Sequence, residues 1–394
     1  MKETNLQKIK KTDIVVGIPS HNESDTISNV VKQIDKGLQK YFPNKKAVII
    51  NVDNNSPDNT KKVFLKTETI TPKIYISTPE SILGKGNNIL NLFKKMKSLD
   101  AEAGMIIDAD INNCSPEWVR CLLSPVFSGH DFVAPIYSRN EYDGSITNNI
   151  CYPVLFGLLG FNIRQPIGGD MGFSARLCEH WLKQKWTKQV LQYGIDIFMT
   201  TRAIEGGYKI CQADLGIKSH KPSAPKLGPM FMQVTETLFK NLSKNKKLWL
   251  KRIEETTLPT ICKIKKTTRP QKLAIDYKFL KERALFEFSL HHETLKKCLT
   301  PNNYRKIEKM FFKDKKLNID MGSWTKIMYD MFYAYDTSRQ KQKIIRTLRP
   351  LYFARIVSFI KKTLEKNHEE SEYLIRQQAH AFYKNRNYLL KKYK

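Results

Sequence analysis

The feature that most constrains this chain is the segment 105–110, Met-Ile-Ile-Asp-Ala-Asp. An apolar run that ends in two carboxylates one residue apart predicts a buried strand whose end carries a polar site. Ligands of open α/β sheets bind beyond the carboxyl ends of the strands. Asp108 and Asp110 therefore suit a hard divalent cation, which takes oxygen ligands and shares its other positions with a substrate's phosphates. An acidic turn without a ligand is the alternative for a lone Asp-X-Asp.

Three apolar segments before this motif predict further strands, at residues 13–19, 47–52 and 73–77. Apolar residues at helical spacing between Ile27 and Leu38 predict a helix after the first of them. Strands that alternate with helices predict a doubly wound, mostly parallel α/β sheet with its polar strand-end loops along one edge. Those loops carry the candidate residues Glu23, Asp53, Lys85, Asp108 and Asp110.

The loop Gly84-Lys85-Gly86 opens another predicted helix. It is not a P-loop, because the full glycine spacing and the terminal Lys-Ser/Thr pair are missing. Two glycines allow the backbone to approach a ligand closely, and Lys85 adds positive charge where the amides of a helix start already favour an anion. A plain glycine turn with an exposed lysine is the alternative.

Beyond the acidic motif the pattern predicts a strand at 132–137, a glycine-containing loop at 164–172, a helix opening at Tyr193 and a final strand at 212–217. His220 follows that last strand. We interpret it as the third ligand of a metal site that two carboxylates alone would leave incomplete, although a lone histidine is often only structural.

Composition limits which partners and which cellular compartment we expect for this protein. The 394 residues carry a formal charge of +29, which fits anionic partners or a lysine-rich source genome. Seven cysteines without a Cys-X-X-Cys pair predict reduced, mostly buried thiols in a cytoplasmic protein. We expect no signal peptide in the polar segment 1–11 and no transmembrane segment, because the apolar stretch 150–161 is too short to span a bilayer and suits a buried helix.

The last third of the chain changes in character. Helical apolar spacing resumes at 284–299, 324–335, 344–364 and 373–390, among many basic residues. We therefore divide the chain into an α/β domain at 12–240 and a basic helical subdomain at 241–394, a possible dimerisation arm. Basic residues interleaved with aromatic ones also occur in nucleic-acid-binding proteins, but no RNP-like, zinc-finger or helix-turn-helix motif is present, so we expect no nucleic-acid partner.

Taken in order, these motifs resemble those of GT-A-fold glycosyltransferases, above all the glucosyl-3-phosphoglycerate synthases, with mannosylglycerate synthase a more distant relative. The resemblance covers roughly residues 12–240 and is most specific between Tyr193 and Met230. The matching residues are Pro19, Glu23, Asp53, Gly84-Lys85-Gly86, Asp108-Ala109-Asp110, Arg164-Gln165-Pro166, Tyr193-Gly194-Ile195-Asp196 and His220.

The resemblance implies a Rossmann-like GT-A domain that moves a hexose, expected to be glucose from UDP-glucose, to a small acidic acceptor such as 3-phosphoglycerate. The product would be a glucosylglycerate-type compatible solute, made with Mg²⁺ or Mn²⁺ and with retention of the anomeric configuration. Transfer to a polyprenyl phosphate or a glycan is a second enzymatic interpretation. A basic nucleic-acid-binding protein is the non-enzymatic one.

The resemblance also implies a role for each site residue. The implied donor contacts are Pro19, His21, Glu23, Asn51, Asp53, Gly84, Lys85 and Asp108, and the implied metal ligands are Asp108, Asp110 and His220. Asp196 would hold hydroxyls of the transferred sugar, and Asp196 or Asp170 would be the general base if the enzyme inverts. Candidate acceptor contacts are Gly168, Gly169, Ser174 and Arg176. Lys221 and Pro222 stand where the family places an acceptor-reading Asn.

Overall fold

The computed structural model of the chain describes residues 2–221, 227–264, 270, 273 and 276–394. It contains two compact units. The first comprises Met1–Arg139, Arg164–Lys226 and Leu258–Gln271; the second comprises Asn140–Ile163, Leu227–Thr257 and Lys272–Lys394. The expected division at residue 240 is therefore wrong, because segments on both sides of it alternate between the two units.

The first unit is built on a sheet that has nine strands within the described residues. In chain order they are β1 (Lys2–Thr4), β2 (Ile14–Ser20), β3 (Ala47–Asp53), β4 (Lys73–Ser77), β5 (Ala103–Ile106), β6 (Phe132–Ser138), β7 (Met171–Ser174), β8 (Ile210–Ile217) and β9 (Thr260–Lys263). Their order across the sheet is β1-β4-β3-β2-β5-β7-β6-β8-β9. Every strand predicted from the sequence is present.

The directions of the strands decide where the site lies. All neighbouring strands are parallel except β1, which is antiparallel to β4, and β7, which is antiparallel to β5 and β6. Ile14 of β2 pairs with Ala47 of β3 and Ala103 of β5, so these strands deliver their carboxyl ends to the same edge. The expected mostly parallel, doubly wound α/β sheet is confirmed.

Some helices flank the strands of the first unit, and the others form the second unit. In chain order they are α1 (Ile27–Tyr41), α2 (Thr60–Lys66), α3 (Lys85–Ser98), α4 (Pro116–Phe127), α5 (Tyr152–Leu159), α6 (Ala175–Leu182), α7 (Ile195–Glu205), α8 (Leu227–Lys244), α9 (Lys246–Trp249), α10 (Tyr277–Cys298), α11 (Pro301–Glu308), α12 (Met321–Thr337), α13 (Lys341–Thr363), α14 (His368–Lys384) and α15 (Arg386–Leu390).

The cores of the two units follow the predicted apolar patterns. All seven residues of β2 are buried, as expected of a strand covered on both faces. The apolar face of α1, from Ile27 to Leu38, is buried against the sheet. In the second unit, α10 and α12–α15 confirm the predicted C-terminal helices. The buried side chain of Trp324 there donates to the carbonyl of Asn149 at 2.7 Å. None of the helices within the described residues is both long and apolar enough to cross a membrane.

Strand β7 was not predicted, because residues 164–172 were assigned to a loop. The strand is short, and its glycine carries no apolar side chain to mark the pattern. That glycine has a packing function: a Cβ added to Gly172 would lie 2.0 Å from the carbonyl oxygen of Leu122 in α4. The close approach of α4 allows β7 to lie between β5 and β6.

One pair of cysteines departs from the expectation of reduced thiols. Cys121 of α4 and Cys262 of β9 form a disulfide, with their Cα atoms 5.2 Å apart. The other five cysteines form no disulfide, and four of them are buried. The two bonded residues are 141 positions apart in sequence, so spacing alone gave no sign of their pairing.

The disulfide makes a direct prediction. The denatured, unreduced protein should show five reactive thiols per chain and seven after reduction. Cys121→Ser should lower the free energy of unfolding by about 2–5 kcal/mol, because the bond closes a long loop in the unfolded chain. Cys298→Ser, which removes a partly exposed free thiol, is the matched control and should leave stability nearly unchanged. Seven thiols without reduction would refute the bond.

Candidate active site

The ends of β2 and β3 are tied together by Asp53. Its carboxylate accepts hydrogen bonds from Ser20 Oγ at 2.8 Å, Tyr75 Oη at 2.8 Å, and the amide and hydroxyl of Ser56 at 2.8 and 2.6 Å. Asn51 donates to the carbonyl of Ile18 and to Ser20 Oγ, each at 2.8 Å. Both predicted donor residues are fully buried, so here they shape the loop; their predicted contact with the nucleotide stays a prediction.

The glycines of the Gly84-Lys85-Gly86 loop serve the chain's own packing. A Cβ on Gly86 would lie 1.9 Å from the carbonyl oxygen of Val190, and one on Gly84 would lie 2.5 Å from that of Leu191. Gly84 also has a φ of +125°, which favours glycine. The amide of Gly86 donates to the carbonyl of Gln192 at 3.1 Å. The close backbone approach that was expected for a ligand is thus made to the 190–192 segment.

This packing places Lys85, the first residue of α3, against two acids. Its Nζ lies 2.8 Å from Asp108 Oδ1 and 3.4 Å from Asp196 Oδ2. Burial alone would lower the pKa of Lys85, but the charges of Asp108 and Asp196 outweigh it and hold that pKa above its ordinary value. Burial would likewise raise the pKa of Asp108, whereas the Lys85 and Lys218 charges hold it well below its usual range.

Asp196, in the first turn of α7, is the second acid that contacts Lys85. Burial raises the pKa of Asp196, and the nearby Asp108 charge adds to the effect. Its Oδ1 is buried and has no hydrogen-bond partner among the described residues. A buried acceptor without a partner is costly, so this oxygen is suited to a hydroxyl donor of a bound molecule.

Asp170 lies beside Asp108 and is held there by hydrogen bonds. It is fully buried and accepts from the Asp108 amide at 2.8 Å, from Tyr137 Oη, and from Lys218 Nζ at 2.7 Å. With three donors on one carboxylate, it is not available as a general base. The assignment of Asp170 to catalysis is therefore wrong, because it fixes the Asp108 backbone instead.

Lys218 is the site residue that the sequence interpretation missed. Its Nζ donates to the carbonyl of Gly168 at 2.8 Å and lies 3.5 Å from Asp108 Oδ2, and its side chain is only 5% exposed. Burial would lower its pKa, but the charges of Asp170 and Asp108 raise it overall. The sequence did offer one sign of this role, namely a lysine directly after the predicted strand β8. Asp108, Asp110 and Asp170 all act on this lysine in the structure.

The Gly168-Gly169 segment lies beside the Asp108 carboxylate. Gly169 has a φ of +91°, and an added Cβ would lie 2.2 Å from Asp108 Oδ2. The backbone of this loop therefore forms a wall beside the carboxylate. Its predicted contact with an acceptor remains a prediction.

The predicted acceptor residues Ser174 and Arg176 lie elsewhere. Ser174 pairs with Ala103, the first residue of β5, so it stands about 16 Å along the strand direction from Asp108. Its Oγ and the Arg176 guanidinium both bind Asp131, at 2.9 and 2.5 Å. The antiparallel direction of β7 takes these residues to the opposite edge, and their assignment to the acceptor site is wrong.

Asp110 and His220 are brought together by a short backbone pairing. His220 forms an isolated bridge with Ile111, the residue after Asp110. Its imidazole is within electrostatic reach of both Asp108 and Asp110. Burial and repulsion by the Asp108 carboxylate raise the pKa of Asp110. Two carboxylates that repel each other beside an imidazole match the ligand chemistry of a hard divalent cation.

The three predicted ligands, Asp108, Asp110 and His220, are not arranged around one common point in this structure. Within the described ranges, no group of three or more His, Cys, Asp or Glu side chains is arranged to hold a metal ion. The physical reason is that Asp108 is turned to the Lys85 and Lys218 amines, which neutralise it. The residues fit a cation by donor chemistry, and their role as its ligands stays a prediction.

The remaining predicted donor residues surround the start of α1. Glu23 is buried and binds Lys221 Nζ at 2.8 Å through Oε2, which also accepts from Thr26 Oγ1 at 3.1 Å. His21 is exposed in the turn that follows Pro19 and β2. These residues lie at the same edge of the sheet as Asp53.

Comparison with known proteins gives a consistent result. The model of glycosyl transferase family 2 matches residues 15–181. The curated glucosyl-3-phosphoglycerate synthase of Petrotoga mobilis is 25% identical over 266 residues, which span 62% of this chain and 78% of that protein.

Solved structures of the corresponding Mycobacterium tuberculosis enzyme are also similar. Its complex with Mn²⁺, UDP and phosphoglyceric acid is 23% identical, with a TM-score of 0.48, and the match covers 58% of this chain and 78% of that one. Its complex with Mg²⁺ and UDP is 24% identical, also with a TM-score of 0.48, and the match covers 58% and 79% of the two chains.

The contact of the glycine loop can be tested by substitution. Gly86→Ala should lower the free energy of unfolding by more than about 2 kcal/mol, because backbone atoms of Val190 and Leu191 block the new methyl group. Gly228→Ala is the control, since its nearest neighbour is the Arg283 guanidinium at 3.7 Å, and should change stability by at most about 1 kcal/mol. Equal stability of both variants in urea denaturation would refute the packing.

Proposed function

We propose that this chain, a glycosyltransferase that carries a family 2 domain and resembles the glucosyl-3-phosphoglycerate synthases, transfers glucose from UDP-glucose to 3-phosphoglycerate. The proposal includes retention of the anomeric configuration and a requirement for Mg²⁺ or Mn²⁺. The glucosyl group and the 3-phosphoglycerate acceptor are taken from the name of the Petrotoga relative, which is 25% identical over 266 residues that span 78% of its length.

The observation that carries the proposal is the convergence of charged groups beyond the end of β5. Lys85 contacts both Asp108 and Asp196, while Lys218 contacts Asp108 from the other side. Each residue comes from a different strand end or helix start, so the arrangement depends on the fold. Such a site suits a substrate that carries both sugar hydroxyls and a diphosphate.

Glycosyl transfer breaks the bond between the anomeric carbon and the diphosphate, and negative charge grows on that leaving group. The Lys85 ammonium is already held in place by Asp108 and Asp196, so it needs no reorganisation to stabilise this charge. A divalent cation, which Asp108, Asp110 and His220 would hold, supplies further neutralisation of the diphosphate.

Asp196 orients the sugar in this scheme. Its buried Oδ1 lacks a partner within the described part of the chain, and a sugar hydroxyl would satisfy it. Because Asp170 is fully engaged by three donors, it offers no nucleophile for a double displacement. Attack by the acceptor hydroxyl from the leaving-group side is therefore the route to retention that we propose.

A panel of UDP-, GDP- and ADP-sugars with Mg²⁺ or Mn²⁺ tests the function. Each donor is assayed with 3-phosphoglycerate, with glycerate and without acceptor, and the product anomer is identified by NMR. Turnover of UDP-glucose that rises sharply with 3-phosphoglycerate supports the proposal. Metal-dependent hydrolysis indifferent to both acids overturns the acceptor and points to a polyprenyl phosphate or glycan. No turnover of any donor overturns the enzymatic proposal.

The role of Asp108 gives a quantitative prediction. Asp108→Asn should lower the turnover of UDP-glucose at least about 100-fold, because it removes a charge that holds Lys85 and serves the proposed cation. Asp100→Asn, an exposed residue paired with Lys11, is the control and should retain activity. Turnover of Asp108→Asn within a few-fold of the wild type would contradict the metal-centred scheme.

The corrected positions of Ser174 and Arg176 give a second prediction. Ser174→Ala and Arg176→Ala should each keep the KM for the acceptor within about twofold of the wild type, because their side chains bind Asp131 at the opposite edge of the sheet. A modest loss of thermal stability is expected from Arg176→Ala. A large rise in the acceptor KM would restore the original assignment.

A further inference from the structure

The protonation of His220 is defined by its neighbour in sequence. The ring Nδ1 lies 2.7 Å from the backbone carbonyl oxygen of Lys221. A carbonyl oxygen only accepts, so Nδ1 carries the proton and donates it. In the neutral ring the lone pair is then on Nε2, which is the electron pair that a cation ligand needs.

The segment 219–221 is held on one side by the residues that follow the acidic motif. The amide of Asn112 donates to the carbonyl of Ser219 at 2.9 Å, and the amide of Ser219 donates to Asn113 Oδ1 at 2.8 Å. These bonds fix the backbone of His220 beside Asp110. They do not by themselves fix the carbonyl of Lys221, which comes one residue later.

The other side of the segment is held by the Lys221 side chain. Its Nζ lies 2.8 Å from Glu23 Oε2 and 2.7 Å from Asp25 Oδ1. Glu23 is itself anchored, because its amide donates to Thr60 Oγ1 at 2.9 Å and its carboxylate accepts from Thr26. The lysine therefore joins the His220 segment to a fixed turn between β2 and α1.

The two ion pairs of Lys221 are too exposed to contribute much to the stability of the whole fold. The Lys221 side chain is 36% exposed and that of Asp25 is 65% exposed, and exposed pairs contribute little to stability. Their geometric effect is more specific, since the residue that makes the ion pairs also provides the carbonyl that orients the imidazole. Outer partners of this kind set the tautomer and direction of metal-binding histidines.

We propose that Lys221 is a positioning residue for His220: by binding Glu23 and Asp25 it holds its own carbonyl against Nδ1, which keeps the proton on Nδ1 and the ring's lone pair on Nε2. This inference rests on the proposed function, in which His220 is a cation ligand. In the family that this chain resembles, an Asn that reads the acceptor stands at this point of the sequence. The role that we propose for Lys221 is to position His220 and not to recognise the acceptor.

The test uses Mn²⁺ titrated into the full-length protein saturated with UDP, with free Mn²⁺ followed by electron paramagnetic resonance. Lys221→Met should weaken Mn²⁺ binding about tenfold. Lys221→Arg, which keeps the charge, should restore affinity to within about threefold of the wild type. Lys45→Met is the matched control, because Lys45 is 37% exposed and pairs with Glu102 at the opposite edge of the sheet; it should bind Mn²⁺ like the wild type.

Two further readouts separate positioning from other effects. UDP affinity without metal should be the same in Lys221→Met and the wild type, and their thermal unfolding midpoints should agree. If Lys221→Met binds Mn²⁺ as tightly as the wild type, or loses metal-free UDP affinity to the same degree, the positioning role is wrong while the proposed function stands. If the wild-type protein binds no Mn²⁺ in the presence of UDP, the metal site of the proposed function itself fails.

Discussion

The interaction on which this site depends is the pairing of Asp108 with two lysines, of which Lys218 is buried and Lys85 is half-buried. A carboxylate withdrawn from water is destabilising without a partner, and Asp108 is paired through both oxygens: Lys85 lies 2.8 Å from Oδ1 and Lys218 lies 3.5 Å from Oδ2. Lys85 begins α3 and Lys218 follows β8, so the charge balance requires both elements to be in register with β5. Neutralisation of the site and formation of the sheet are therefore coupled.

That register is set well away from the charges. The parallel pairing of Ile14 with Ala47 and Ala103 aligns the ends of β2, β3 and β5. The loop before the antiparallel β7 brings Asp170 to the amide of Asp108, where it also receives Lys218. A small shift of either pairing would separate these groups and leave buried charges without partners, which disfavours alternative registers.

The sequence predicted those site residues whose position follows from the end of one strand or the start of one helix, such as Asp108, Lys85 and Asp196. It failed where position depends on a second element. Ser174 and Arg176 were misplaced because an unrecognised antiparallel strand reverses the chain, and Lys218 gains its role only from acids on two other segments. Cys121 and Cys262 meet only after the sheet has formed, so no local pattern marks them.

The charge close to the end of β5 is opposite in sign to the charge of the whole chain. The whole chain carries +29, yet beyond β5 the four carboxylates of Asp108, Asp110, Asp170 and Asp196 outnumber the two ammonium groups, those of Lys85 and Lys218, that pair with them among the described residues. A diphosphate entering this site meets an excess of negative charge at close range, where screening by distant lysines is weak. A divalent cation held by the predicted ligands Asp108 and Asp110 would offset that excess, so this arrangement of charges favours the metal requirement that we propose.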